Sequence, residues 1–207
     1  NQEIIVNKLS KGQATIYEPR IDNLLKEVIS KGNFSVTNDI VDAVMNTDIS
    51  IVAVGTPFKA GKIDLSYIEQ SVRAIGSVLK SKEKYHVVCI KSTVVPTTTD
   101  TLVKNILEEV SGKKAGTFGL AMNPEFLREG KAVDDFMNPD RIVIGAYDKE
   151  SFEVIRKIYE GYFKAPIIWV NLRAAEMIKY ASNSLLAALI SYSNEIASIC
   201  EEVGGID

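Results

Sequence analysis

The chain has 207 residues, enough for one large domain or for a domain with an appended element. Hydrophobic residues make up 46% and charged residues 25%, a composition that sustains a packed core, while 24 basic against 27 acidic side chains exclude a net positive field for non-specific nucleic-acid binding. A single histidine, His86, and two distant cysteines, Cys89 and Cys200, with no CxxC pair, exclude a His- or Cys-rich metal site.

Two unpaired thiols suit a reducing compartment, so the expected location is cytoplasmic. The longest apolar runs fall far short of the roughly 20 residues that cross a bilayer, and no signal-like segment opens the chain, so no membrane partner is expected. The first residue is Asn1 rather than methionine, which leads us to expect further residues upstream.

Short apolar runs alternate with helical patterns along the chain. The first strand is predicted over Ile49–Val54 and stops at Gly55-Thr56-Pro57. A helix follows over 65–80, with Ile68, Val72, Ile75 and Leu79 near a 3.6-residue period and Asp64 or Ser66 available as its cap. Val87–Ile90 forms the next strand, with Cys89 in the core, and ends at Lys91-Ser92-Thr93. Leu102, Val103, Ile106 and Leu107 mark a helix over 98–110. A strand over 118–122 stops at Asn123-Pro124-Glu125; further strands are predicted over 142–144 and 167–170, on either side of a helix over 149–162. Runs apolar on both faces, alternating with helices, predict a doubly wound α/β fold with a Rossmann-like parallel sheet.

After Trp169 the pattern changes. From Ala174 to Val203 there is neither proline nor glycine, which predicts one continuous helix of roughly 45 Å at about 1.5 Å per residue. That is longer than a crossover needs, so it reads as an interdomain or subunit-contacting helix, with Cys200 as a small buried hydrophobe on it. Gly204-Gly205-Ile206-Asp207 is its stop. The expected organisation is a domain over 1–170 and the long central helix over 171–207.

In an open α/β sheet, ligands bind beyond the carboxyl ends of the strands. Gly55-Thr56-Pro57, Lys91-Ser92-Thr93 and Asn123 through Gly130 all fall at such ends. Each alone reads equally as a polar strand terminus, and together they favour one site. Glu125 and Glu129, on either side of Arg128, offer a base and a polar anchor, or a solvated acid pair. Lys179 and Asn183 lie four apart and share a helix face, which suits either a solvated surface or a pair that stabilises a developing oxyanion.

Taken in order, Ile16-Tyr17-Glu18-Pro19, Val54-Gly55-Thr56-Pro57, Lys91-Ser92-Thr93-Val94, Asn123 through Gly130, Asp135-Phe136, Pro139 through Gly145, Ala175-Glu176 through Lys179, Asn183 and Asn194-Glu195-Ile196-Ala197 resemble the UDP-glucose/GDP-mannose dehydrogenase family. The resemblance implies an NAD-dependent four-electron oxidation of a sugar C6 alcohol to a carboxylate, passing through a thiohemiacetal and a thioester on a cysteine. It implies Thr56, Thr93 and Glu129 as cofactor contacts. Glu125, Phe126, Leu127, Arg128 and Glu129 are implied to line the sugar nucleotide, together with Lys179 and Asn183. As catalytic groups it implies Glu125 as base for thioester hydrolysis, Thr93 ordering the water, and Lys179 with Asn183 steadying charge on the reacting oxygen. It implies no metal. The long helix is implied to build a homodimer.

The departures from the family pattern are specific. The GxGYVG turn of the first βαβ part and the GGxCxPKD-like segment with the nucleophilic cysteine are not among these residues. Cys200 matches a non-catalytic cysteine. Arg20 and Thr97 stand where the family often has glycine, and Thr97 is expected to alter the turn after Ser92-Thr93. The expectation is therefore a portion of a longer UDP-glucose dehydrogenase, inactive alone, with Pro139-Asp140-Arg141 favouring UDP-glucose over GDP-mannose. The alternatives are a non-catalytic dimerising remnant or another NAD-linked dehydrogenase, of the 3-hydroxyacid or GDP-mannose type.

Overall fold

The computed structural model describes residues 2–206; Asn1 and Asp207, which begin and end the stretch read above, lie outside the described residues. The chain runs through α1 (Gln2–Ser10), α2 (Ile21–Ser30), α3 (Ile40–Met45), β1 (Ile49–Val52), the hairpin β2 (Phe58–Lys59) and β3 (Lys62–Ile63), and α4 (Ser66–Leu79). It continues through β4 (Val87–Ile90), a π-helix (Thr98–Val103) that passes into α5 (Lys104–Ser111), and β5 (Gly119–Met122). Then come α6 (Ala132–Met137), β6 (Ile142–Ala146), α7 (Lys149–Tyr159), β7 (Ile167–Val170) and α8 (Leu172–Val203).

The main sheet has the order β1-β4-β5-β6-β7. Its strands alternate as the two-residue period requires. Val88, Ile90, Leu120, Met122 and Val143 enter one core with Val72 and Leu79 of α4, Leu107 of α5 and Ala175 of α8. Val87, Cys89, Ala121, Ile142 and Ile144 enter a second core with Phe152, Ile155 and Tyr159 of α7. Both faces are covered, which is why these strands read as unbroken apolar runs. Asp64 accepts from the Ser66 N–H at 2.9 Å, and so serves the start of α4.

The sheet departs from the all-parallel expectation at one seam. β1, β4 and β5 are parallel and so are β6 and β7, but β5 and β6 are antiparallel, with Met122 opposite Gly145 and Ala121 opposite Ala146. The reason lies in the connection. A parallel return needs a crossover packed across a sheet face, whereas the only helix between β5 and β6 is the six-residue α6, which buries no residue. The chain therefore stays at the carboxyl rim of β5 and re-enters the sheet from there.

That seam decides which segments meet at the carboxyl rim. β6 starts at the rim where β5 ends, and α8 starts after β7 at the opposite edge and runs back toward that rim. Gly145 lets it approach: a Cβ there would stand 2.6 Å from the Ala175 Cβ and 3.0 Å from the Asn171 carbonyl oxygen. Leu172, Ala175, Glu176 and Lys179 are buried against the domain; beyond Ser182 the helix is exposed as far as Ile199.

Other expectations shift in detail. The first strand ends at Val52 rather than Val54, and the long helix starts at Leu172 rather than Ala174. The predicted helix over 98–110 begins as a π-helix. Cys200 is half-buried on an otherwise exposed stretch, not a core residue, because that end of α8 is left largely uncovered by the described residues. Arg20 and Thr97 both adopt left-handed backbone, with φ of 72° and 81°, the conformation that glycine takes without penalty.

Candidate active site

A cavity of about 460 Å³ opens at the carboxyl rim, lined by the Asn123–Arg128 segment, by Asp135, Phe136 and residues 138–142, and by Lys91, Tyr159, Lys179 and Asn183. Its wall begins where β5 gives way to Asn123. Asn123 is buried, and its amide donates to the Val143 carbonyl at 2.8 Å while its Oδ1 accepts from Tyr159 Oη and from Lys91 Nζ at 2.9 Å. This ties the ends of β4, β5 and β6 to α7. Burial pushes the Tyr159 hydroxyl up to about 12, and desolvation pushes Lys91 down from its ordinary value.

Glu125 is fixed from two directions. Its Oε1 faces Lys179 Nζ at 3.1 Å, and its Oε2 accepts the Leu127 N–H at 2.6 Å. Lys179 is almost wholly buried, which a lysine tolerates only with a partner of this kind. Phe126 meets two cations: the Arg141 guanidinium carbon is 4.6 Å from its ring centroid and Lys179 Nζ is 5.4 Å from it. Arg128 is committed to Asp135, donating from Nε at 3.0 Å, from its terminal nitrogen at 2.6 Å and from its backbone N–H at 2.9 Å. That contact holds the Asp135 carboxyl down to about 2. The Ile16–Pro19 segment clasps the same loop, as Glu18 Oε1 accepts the N–H groups of Gly130 and Ala132 at 2.9 and 3.1 Å.

Thr56 and Thr93 meet one another on the same carboxyl rim, at the ends of β1 and β4, where Thr56 Oγ1 donates to the Thr93 carbonyl at 2.8 Å. Neither lines the cavity, and Glu129 lies exposed on the outer loop without reaching it. Glu125, Phe126, Leu127, Arg128, Lys179 and Asn183 do line it. Lys91 and Asn123 from the strand-end motifs, Arg141 from the Pro139-Asp140-Arg141 loop, and Tyr159 also line it, although the resemblance assigns none of them a catalytic or contact role. Tyr159 resembles an ordinary core-edge residue until the β5–β6 seam is known.

A dinucleotide fits this rim in part. Gly55 has open space beside it, with nothing within 4 Å of where a Cβ would stand, and Thr56 and Thr93 bring hydroxyl groups to the adjacent strand ends. The Gly-rich strand-to-helix turn that seats a pyrophosphate is not found among the described residues. Among the same residues no cluster of three or more metal-ligating side chains forms.

The fold and its rim define an α/β domain of the Rossmann type with a cationic, carboxylate-bearing cavity beyond the strand ends. Residues 1–163 match the NAD binding domain of the UDP-glucose/GDP-mannose dehydrogenase family and residues 173–207 match its central domain. The chain belongs to that family. It is 43% identical over 201 residues to GDP-mannose 6-dehydrogenase of Pseudomonas savastanoi pv. phaseolicola, covering 96% of this chain and 46% of that one. It is 41% identical over 211 residues to UDP-glucose 6-dehydrogenase of Haloferax volcanii, covering 99% and 48%. A ternary complex of GDP-mannose dehydrogenase from Pseudomonas aeruginosa superposes with a TM-score of 0.95 at 40% identity, over 99% of this chain and 47% of that one. The chain thus spans about half the length of the relatives it matches.

Proposed function

We propose that the whole protein is an NAD-dependent dehydrogenase that oxidises the C6 alcohol of a nucleotide sugar to a carboxylate. The observation that carries this reading is the Lys179–Glu125 pair, 3.1 Å apart inside the rim cavity of a chain of this family. A buried ammonium stabilises negative charge on a reacting oxygen far better than an exposed one. Asn183, one turn further along α8, adds an amide to the same wall. The Glu125 carboxylate, held by Lys179 and the Leu127 amide, is oriented to take a proton from a water at the reacting carbon. Phe126, Leu127 and Arg128 shape the sugar side. Thr56, Thr93 and Glu129 would hold NAD, which when bound supplies the hydride acceptor, and Thr93 would order the water.

Of the two nucleotides, GDP-mannose is the better supported, reversing the preference drawn from Pro139-Asp140-Arg141. The GDP-mannose 6-dehydrogenases named above stand at 43% identity and at a TM-score of 0.95. UDP-glucose is the second reading, supported by the Haloferax relative at 41% identity. The division at residue 170 between nucleotide-binding domain and long helix, and a cytoplasmic location, go with this reading. So does a homodimer through α8, where Leu185, Leu186, Leu189, Ile190 and Ile196 are exposed.

The test is NAD reduction by the full-length protein with GDP-mannose and UDP-glucose in parallel, with NADH and the carboxylate product both quantified. The expected result is two NADH per sugar oxidised, with the higher kcat/KM for GDP-mannose. No reduction with either nucleotide sugar overturns the reading. Residues 1–207 alone are expected to be inactive, because Cys89 is buried with its thiol pushed up to about 12 and Cys200 lies roughly 30 Å along α8 from Lys179 at about 1.5 Å per residue.

A further inference from the structure

Glu176 is a wholly buried carboxylate to which the proposed chemistry gives no role. It sits on α8 one turn before Lys179. Its Oε2 accepts the N–H of Thr97 and its Oε1 accepts the N–H of Thr99, each at 2.7 Å, from residues nearly eighty positions earlier in the chain. Those amides open the π-helix, where the first N–H groups have no partner within the helix. Glu176 therefore caps a helix start from another element.

The cap holds a conformation that the local sequence disfavours. Thr97 has φ of 81°, a left-handed backbone that its Cβ opposes sterically. Four residues earlier is Thr93, whose carbonyl receives the Thr56 hydroxyl. One side chain thus links the helix that carries Lys179 to the loop that carries Thr93.

We propose that Glu176 is a positioning residue: by clamping the Thr97 and Thr99 amides it sets where the Thr93 rim stands relative to Lys179 and Asn183. This rests on the dehydrogenase reading for what the rim does, but the clamp itself can be tested without it.

The experiment compares full-length wild type with Glu176→Gln, Thr97→Gly and the double variant. Glutamine keeps the shape but accepts through only one oxygen, so one of the two amides loses its partner. We expect kcat to fall about tenfold to a hundredfold in Glu176→Gln, as small misplacements at a site do, with a much smaller change in KM for the nucleotide sugar. Amide exchange at Thr97 and Thr99 should quicken while exchange in β4 and β5 stays slow. Thr97→Gly alone should retain wild-type kcat. Added to Glu176→Gln it should restore about two- to fivefold, because glycine adopts a φ near 81° without the steric clash that a Cβ brings there.

Wild-type kcat in Glu176→Gln would overturn the proposal. So would a loss that matches a general rise in exchange and that Thr97→Gly does not rescue. Were wild type to reduce no NAD with any nucleotide sugar, the dehydrogenase reading would fall instead, and the exchange of the Thr97 and Thr99 amides would still decide the clamp.

Discussion

A polar cluster lies at each end of β4, and the two differ in what their remaining valences face. At the amino end, Lys82 Nζ donates to the carbonyls of Val44, Met45 and Thr47, each at 2.8 Å. Beside it His86 places Nδ1 2.9 Å from the Thr47 carbonyl and Nε2 2.8 Å from Ser50 Oγ. All three Lys82 protons and both ring nitrogens are matched, and the cluster is closed. At the carboxyl end, Lys179, Lys91 and Glu125 have one or two partners each and border an open cavity. A buried charge with a complete partner set stabilises a fold; one with a free direction toward solvent-accessible space is available for chemistry.

Exchanging the lysines for methionine breaks this comparison in opposite ways. Lys179→Met in the full-length protein should lower kcat about 10²- to 10³-fold, the scale of losing one preorganised charge-stabilising donor. Its unfolding midpoint should move little, since Glu125 keeps the Leu127 amide and can turn toward the cavity. Lys82→Met should do the reverse. Three carbonyls lose their donor, and urea unfolding should show a loss of about 2–4 kcal/mol with kcat within a factor of two of wild type. If both variants lost activity and stability together, the distinction between the two clusters would not hold.

The unequal legibility of the two ends in sequence has the same origin. β4 and β7 occupy the residues that their apolar runs predict; β4 is buried throughout, while β7 is an edge strand whose Ile168 and Trp169 stay exposed. Glu125, Lys179 and Asn183 were readable as a site only through the family motif order; their spacing alone fits a solvated surface equally well. The meeting of Lys91, Asn123, Arg141 and Tyr159 was not legible, because it depends on β6 entering antiparallel to β5, and a six-residue helix with no buried face gives no sign of that in sequence. α2 is a different case. Ile21, Leu24, Leu25, Val28 and Ile29 carry a clear helical period, and that signal was available.

A smaller effect sharpens the closed end. Burial lowers the His86 pKa from its ordinary 6.5, aided by Lys82 and opposed by the Thr47 carbonyl and Asp48. Nδ1 faces a carbonyl, so it carries the proton, and Nε2 accepts from Ser50. A base whose folded pKa is depressed contributes stability that is complete above the unfolded value and is lost as pH falls through the folded one. Unfolding free energy should therefore decline below pH 6.5 by at most about 1.4 kcal/mol per pH unit for one proton. His86→Gln should flatten that limb of the profile.

The smallest expected effect concerns the outer wall of the open end. Arg128 holds the Asp135 carboxyl at about 2, against an ordinary 3.8, through hydrogen bonds from its guanidinium and its backbone N–H. A depressed acid contributes stability that is present above the unfolded pKa and is lost as pH falls toward the folded value, so the clamp should weaken only between pH 3.8 and about 2. Arg128 is exposed while Asp135 is mostly covered, and salt screens a pair open on one side, so the change should be local. Amide exchange at Arg128 is the measurement: it should quicken over that interval in wild type and be quick throughout in Asp135→Asn, whose amide offers one acceptor where the carboxylate offers two. A wild-type profile that stayed flat to pH 2 would mean that the Glu18 bonds to Gly130 and Ala132 hold the loop without Asp135. The cavity wall would then depend on the segment before α2 rather than on its own ion pair.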